Sequence, residues 1–176
     1  MVEAIAEAKH YVYIENQFFI TSTKSEDTSD LLFSNSIEDI VKNQIGTALL
    51  KRIVQAHKAN EKFRVYVLLP LLPGFEGDVG SESTGNLLRT ILHFNYASIC
   101  RGPNSLFKQL SKHGINPSTY ISFCSLRQKG QLLGTQITEL IYIHSKLMIV
   151  DDRLVICGSA NINDRSLLGY RDSEVN

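Results

Sequence analysis

The stretch "IYIHSKLMIVDDRLVICGSAN", residues 141–161, sets a histidine and a lysine two apart in a run that otherwise has the composition of a buried β-strand. Side chains alternate between the two faces of a strand. His144, Lys146, Met148 and Val150 would therefore share one face, and Ser145, Leu147, Ile149 and Asp151 the other. Both faces carry apolar residues, which predicts cover on both sides. A charged lysine in such a place is costly unless it is paired or opens into a cleft. An imidazole and an ammonium aimed at one point suit an anion, above all a phosphoryl group. The lysine supplies a point charge, and the histidine can act as nucleophile or acid/base near neutral pH. The run that follows ends in Gly158, Ser159, Ala160 and Asn161. Ser159 and Asn161 are spaced to share a face, and both can donate to phosphate oxygens. Gly158 leaves room for close backbone approach. Taken singly, each feature has a plainer reading: a core histidine, an edge-strand lysine, a turn. Their combination favours a phosphate site. Asp151 falls on the face opposite His144 at the head of a "DDR" turn. It reads as structural, a turn former or the partner of a nearby basic group.

Bulk properties narrow the field. The chain has 176 residues, enough for one domain with a core. Lys+Arg and Asp+Glu are equal at 18 each, so no basic footprint points to nucleic acid or a polybasic membrane anchor. No nucleic-acid partner is expected. Cys100, Cys124 and Cys157 lie in apolar contexts without paired spacing and read as free, buried thiols in a reducing compartment. No apolar run reaches membrane-spanning length, and the start lacks a signal-peptide pattern. The expected location is cytoplasmic.

Strand-like and helix-like runs alternate, which predicts an α/β fold with a sheet flanked by helices. Strands are expected over 11–20, 63–69 and 119–126, as one run over 137–150, over 153–161, and at the terminal "SEVN". Apolar spacings of three and four predict helices over 37–59, 86–102 and 105–114, the first with Glu38 and Asp39 in its opening turn. A polar segment over 21–36 and a glycine-rich one over 75–85 read as loops. His93 sits in a helical pattern beside Phe94 and reads as a packing residue. His10, His57 and His113 fall at expected helix ends or surfaces. No Cys/His cluster has the spacing of a zinc site.

His144-x-Lys146, four residues, Asp151, six residues, then Gly158-Ser159-x-Asn161, resembles the HKD motif of the phospholipase D superfamily. Six identities at fixed spacing arise by chance on the order of once in tens of millions of start positions. "YIENQFF" (13–19), "RVYVLLPLLPGFEGD" (64–78), "HFNY" (93–96), "TELIYIHSK" (138–146) and "GSANINDRSLLGYRDSE" (158–174) extend the resemblance over nearly the whole chain. They are similar to the second catalytic half of eukaryotic phosphatidylcholine-type phospholipase D. The segment 21–36 is longer than is usual there.

The resemblance implies one phospholipase D-like half-domain with a mixed sheet, residues 1–176, the C-terminal HKD half of a longer two-motif enzyme. Such enzymes convert phosphatidylcholine to phosphatidic acid and choline at a membrane surface, or pass the phosphatidyl group to an alcohol. One histidine attacks phosphorus and the other protonates the leaving alcohol. His144 would be the acid/base member, with the roles open to exchange. Lys146, Ser159 and Asn161 would stabilise the anionic oxygens. Glu174 in "RDSE" matches a carboxylate that backs the motif histidine, against an alternative ion pair with Arg171. Gln17, with Asn16, either reaches the same site or makes strand-end hydrogen bonds, and the residues leave that choice open. The chemistry implies no cofactor and no metal, and calcium or phosphoinositide sites would lie largely outside this segment. A single motif means half a site. Its partner would be the N-terminal HKD half of the same enzyme or a second copy of this chain. Two other readings stand beside this one: a dimeric superfamily phosphodiesterase such as a nuclease, and a non-catalytic remnant used for interaction.

Overall fold

A computed structural model describes residues 1–23, 41–81 and 85–175. Tyr11–Glu15 (β1) alternates half-buried and buried side chains, so Val12 and Ile14 point into the core. It pairs in parallel with Arg64–Leu68 (β2), which pairs in parallel with Ile121–Cys124 (β3). On its other edge β1 runs antiparallel to Leu147–Val150 (β6), which pairs antiparallel with Leu154–Cys157 (β7). The order β3-β2-β1-β6-β7 is a mixed sheet, as expected.

Direct partners share a face, so one face carries Val12, Val65, Ile121 and Val150, then Ile14, Val67, Phe123 and Met148. Against it pack Ile5 of Val2–Glu7 (α1), Leu49 and Ile53 of Ile45–Lys58 (α2), and Leu106 and Leu110 of Leu106–Lys112 (α4). Each fully buried aliphatic side chain contributes about 1.5–3 kcal/mol relative to exposure, so this one layer is the main source of stability. Asn86–Ile99 (α3) adds Ile99 to the core. Short helices at Pro117–Tyr120 (α5) and Asp164–Leu167 (α6) lead into β3 and follow β7.

The opposite face carries Tyr13, Tyr66, Ile149 and Val155 and is open: Tyr66 is 40% exposed and Val155 61%. The expected cover on both sides of the His144 run is therefore absent among the described residues. The three cysteines are free but exposed, not buried. Cys124 and Cys157 lie on the open face, opposite Leu68 and Leu147.

The helix expected over 37–59 begins only at Ile45. Residues 37–40, with Glu38 and Asp39, lie outside the described residues, as does most of the 21–36 loop. The backbone N–H groups of Lys42 and Asn43 donate to Asp164 at 2.7 and 2.9 Å, and that of Gly46 to Thr21 Oγ1 at 2.8 Å. Long-range contacts hold residues 41–44 out of the helical path that their apolar spacing favours.

The run over 137–150 is not one strand. It divides into Thr135–Ile141 (β5) and β6. β5 forms a hairpin with Leu126–Leu132 (β4), which the sequence reading did not anticipate. Leu133 (φ 49°) and Gly134 (φ 82°) make its turn, both in the left-handed region that a two-residue primed turn needs. A leucine at the first of these positions hides the turn signal, because asparagine, aspartate or glycine is the usual choice. Leu133 is also 98% exposed, so no burial offsets its backbone strain. Leu133→Asn should relieve about 1 kcal/mol, slowing amide hydrogen exchange across β4 and β5 about fivefold, as measured by mass spectrometry.

Candidate active site

The site lies at one end of the sheet, where β1 and β7 finish and β6 begins. Residues 142–146 link β5 to β6 without joining a ladder, so His144 and Lys146 precede the strand in which they were expected. Local contacts keep the link extended. Ser145 Oγ donates to Glu15 Oε2 at the end of β1, and Tyr13 donates to Glu15 Oε1 at 2.6 Å. Burial and that carboxylate together push the Tyr13 phenol up to about 12. Gly158 N–H donates to Lys146 O at 3.1 Å, which carries the β6–β7 pairing one step towards the site.

Asn16 fixes the opposite wall. It is 2% exposed. Its Oδ1 accepts from Phe18 N and Ile162 N, both at 3.1 Å, and its Nδ2 donates to Ala160 O at 3.3 Å. A buried carboxamide satisfied in this way ties the turn after β1 to the Gly158–Ile162 segment. Asn16 thus makes strand-end hydrogen bonds and also lines a small cavity with Lys146, Gly158 and Ala160. Gln17 Nε2 donates to Tyr142 Oη at 2.8 Å.

Lys146 is half-buried, and its Nζ donates to the His144 carbonyl at 2.7 Å. Burial lowers its pKa, and the nearby Glu174 carboxylate partly offsets that. A poorly hydrated ammonium is a stronger point of attraction for an anion than a solvated one. His144 is exposed, and its ring has no hydrogen bond among the described residues. The ring stacks on Tyr142, with centroids 6.0 Å apart and planes 20° from parallel.

Glu174 does not back His144 in the described structure. It accepts from Ser159 Oγ. That bond is the main reason its pKa falls, with Ser166 adding to it and Lys146 contributing as a nearby charge. The alternative ion pair between Glu174 and Arg171 is also absent among the described residues. Residues 173–175, the described part of the terminal "SEVN", form no strand, but Ser159 N donates to Val175 O at 2.8 Å and Val175 N to Ser159 Oγ at 2.9 Å. Lys146, Ser159 and Glu174 thus come together. Asn161 Oδ1 is buried without a partner among the described residues, a cost of about 1–3 kcal/mol.

Asp151 lies at the far end of β6, roughly 17 Å along the chain from Lys146 at strand rise. Its carboxylate accepts from the backbone N–H groups of Lys9, His10 and Tyr11 at 2.6, 2.7 and 2.8 Å. Burial raises its pKa, but those three bonds outweigh burial and leave it below the ordinary value.

With the site's geometry in place, kinship supplies what geometry alone does not. The profile of the Phospholipase D family matches residues 1–137 and 125–176. The chain belongs to the phospholipase D family. It is 52% identical over 175 residues to human "Phospholipase D1", covering 99% of this chain and 15% of that protein. It is 50% identical over 175 residues to Bos taurus "Phospholipase D2", covering 99% and 17%. To "Phospholipase D zeta 1" of Arabidopsis thaliana it is 47% identical over 174 residues, covering 97% and 15%. It thus spans about a sixth of the length of these phospholipase D relatives. Among solved structures, "NucT from Helicobacter pylori" aligns over 98% of this chain and 69% of that one, with 14% identity and a TM-score of 0.40.

Four residues that hold the site escaped the sequence reading: Glu15, Tyr142, Ser145, and Gly74, whose backbone lies against the Tyr142 ring. Tyr142 had a signal, since it stands two before His144 and shares its face in extended chain. Glu15 and Gly74 act through contacts that no local pattern encodes. Asp151 generates a prediction about acid stability. Because its folded pKa is depressed, its contribution is present above the unfolded value and is lost as pH falls through the folded one. Asp151→Asn should therefore lower stability at neutral pH, by on the order of 2–3 kcal/mol. It should also flatten the loss of stability on acidification, both read from urea unfolding across pH 2–7.

Proposed function

We propose that this chain supplies one half of the active site of a phosphodiesterase that hydrolyses phosphatidylcholine to phosphatidic acid and choline, and transfers the phosphatidyl group to alcohols. The observation that carries this is His144 beside the half-buried Lys146, open at one sheet end in a chain 52% identical to human phospholipase D1. A choline alkoxide is a poor leaving group and needs a proton as the phosphorus–oxygen bond breaks. In the proposed reaction a histidine of the other half attacks phosphorus. The alkoxide oxygen takes its proton from His144, and choline departs. The resulting phosphohistidine is attacked by water or an alcohol whose proton returns to His144. Lys146 faces the anionic oxygens, with Asn161 beside it, and Ser159 joins them when its O–H turns from Glu174 to the phosphate. Glu174 holds that hydroxyl before substrate binds and balances the lysine charge.

One imidazole cannot be nucleophile and acid at once. The exposure of His144 fits a site closed by a second surface, which excludes water and strengthens each charge interaction within it. That surface is the N-terminal HKD half of the same enzyme. Among the described residues no helix is long and apolar enough to cross a membrane, so contact with lipid is peripheral in this proposal. None of the steps calls for a cofactor.

The full-length protein containing this segment should release choline from phosphatidylcholine vesicles, and His144→Ala should cut the rate about 10²–10⁴-fold. The isolated 176-residue chain should be inactive. Wild-type turnover by the His144→Ala variant would refute the catalytic reading. Choline release by the isolated monomer at the full-length rate would refute the two-half arrangement.

A further inference from the structure

We propose that Tyr142 is a positioning residue for His144, and that Gly74 and Gln17 hold Tyr142 in place for that task; this rests on the catalytic reading of His144. An exposed histidine whose ring makes no hydrogen bond would sample several rotamers. Among the described residues the contact that opposes this is the Tyr142 ring, stacked at 6.0 Å and 20°. Tyr142 is itself 42% exposed, so core filling does not explain its position.

Two separate contacts fix the tyrosine. Gln17 Nε2 donates to its hydroxyl at 2.8 Å. The backbone of Gly74 lies against the phenol end of the ring. A methyl group built there would stand 2.5 Å from Cζ and 2.8 Å from Oη, closer than any real contact. A side chain at position 74 would thus displace the tyrosine ring. Both anchors sit on loops joined by the Phe18–Phe75 stack, with centroids 6.3 Å apart and planes 13° from parallel. The turn after β1 and the loop after β2 therefore form one cradle, the cradle sets the tyrosine, and the tyrosine sets the imidazole. Proton transfer to a leaving oxygen is sensitive to such placement: an error of about 1 Å costs about a hundredfold in rate.

The test uses the full-length enzyme and choline release from phosphatidylcholine vesicles, with thermal midpoints measured in parallel. Tyr142→Ala should lower kcat about tenfold or more while KM stays within about twofold. Tyr142→Phe keeps the ring and should hold kcat within about threefold. Gly74→Ala should reproduce the kcat loss by displacing the ring. The double variant Gly74→Ala/Tyr142→Ala should be no slower than Tyr142→Ala alone, since both act through one contact. An unchanged kcat in Tyr142→Ala, with His144→Ala inactive, would overturn the positioning role and leave the catalytic reading standing. So would multiplying losses in the double variant, or a loss in Tyr142→Phe equal to that in Tyr142→Ala. Full activity in His144→Ala would remove the catalytic reading and this inference with it.

Discussion

β1 is hydrogen-bonded along both edges, to β2 in parallel and to β6 in antiparallel register, with Ile14 opposite both Val67 and Met148. A slip of one residue in either ladder would turn Val12 and Ile14 out of the core and Tyr13 and Glu15 into it. The burial of the apolar face therefore fixes the register, and the register places Glu15 where it can accept from Ser145. Two polar devices lock the ends of this pairing. Asp151 gathers three backbone N–H groups at one end, and Asn16 joins the turn after β1 to residues 160–162 at the other. The site is the polar finish of an apolar sheet.

That division of labour explains what could be read from sequence. The strands at β1, β2 and β3 were legible because alternation and β-branched composition report burial on one face. The helices α3 and α4 were legible from apolar spacings, and the approach of Lys146 to the Gly158–Ser159 segment from residue types and spacing. Three features were not. The start of α2 depends on Asp164, more than a hundred residues away in the chain, binding Lys42 and Asn43. The β4–β5 hairpin carries leucine where turn chemistry calls for asparagine or glycine. The break before β6 depends on Glu15 and Gly158 holding residues 142–146. Each is set by tertiary contact rather than by local propensity.

The charges at the site show the same economy. Lys146, Ser159 and Glu174 form a short chain in which a half-buried ammonium is balanced by a carboxylate held through a hydroxyl. The alternative of Glu174 directly behind the imidazole came from family resemblance, and the described structure instead spends that carboxylate on Ser159. His144 is left to the aromatic ring beside it and to whatever closes the open side of the site.

The Asp151 clamp joins residues 140 or more apart in the chain. Within this segment β1, α2 and β2 leave a ribosome before residues 147–150 and can pair as a parallel unit. The second edge of β1 stays unpaired until residues 147–150 appear. Loop-closure entropy makes so distant a contact slow to form. During synthesis this half-sheet therefore presents an unsatisfied strand edge with an apolar face, the kind of surface that chaperones shield and that aggregation exploits. The end that carries Lys146 and Ser159 is completed last, so a chain truncated before residue 147 leaves one edge of β1 unpaired and lacks the Ser159–Glu174 contact.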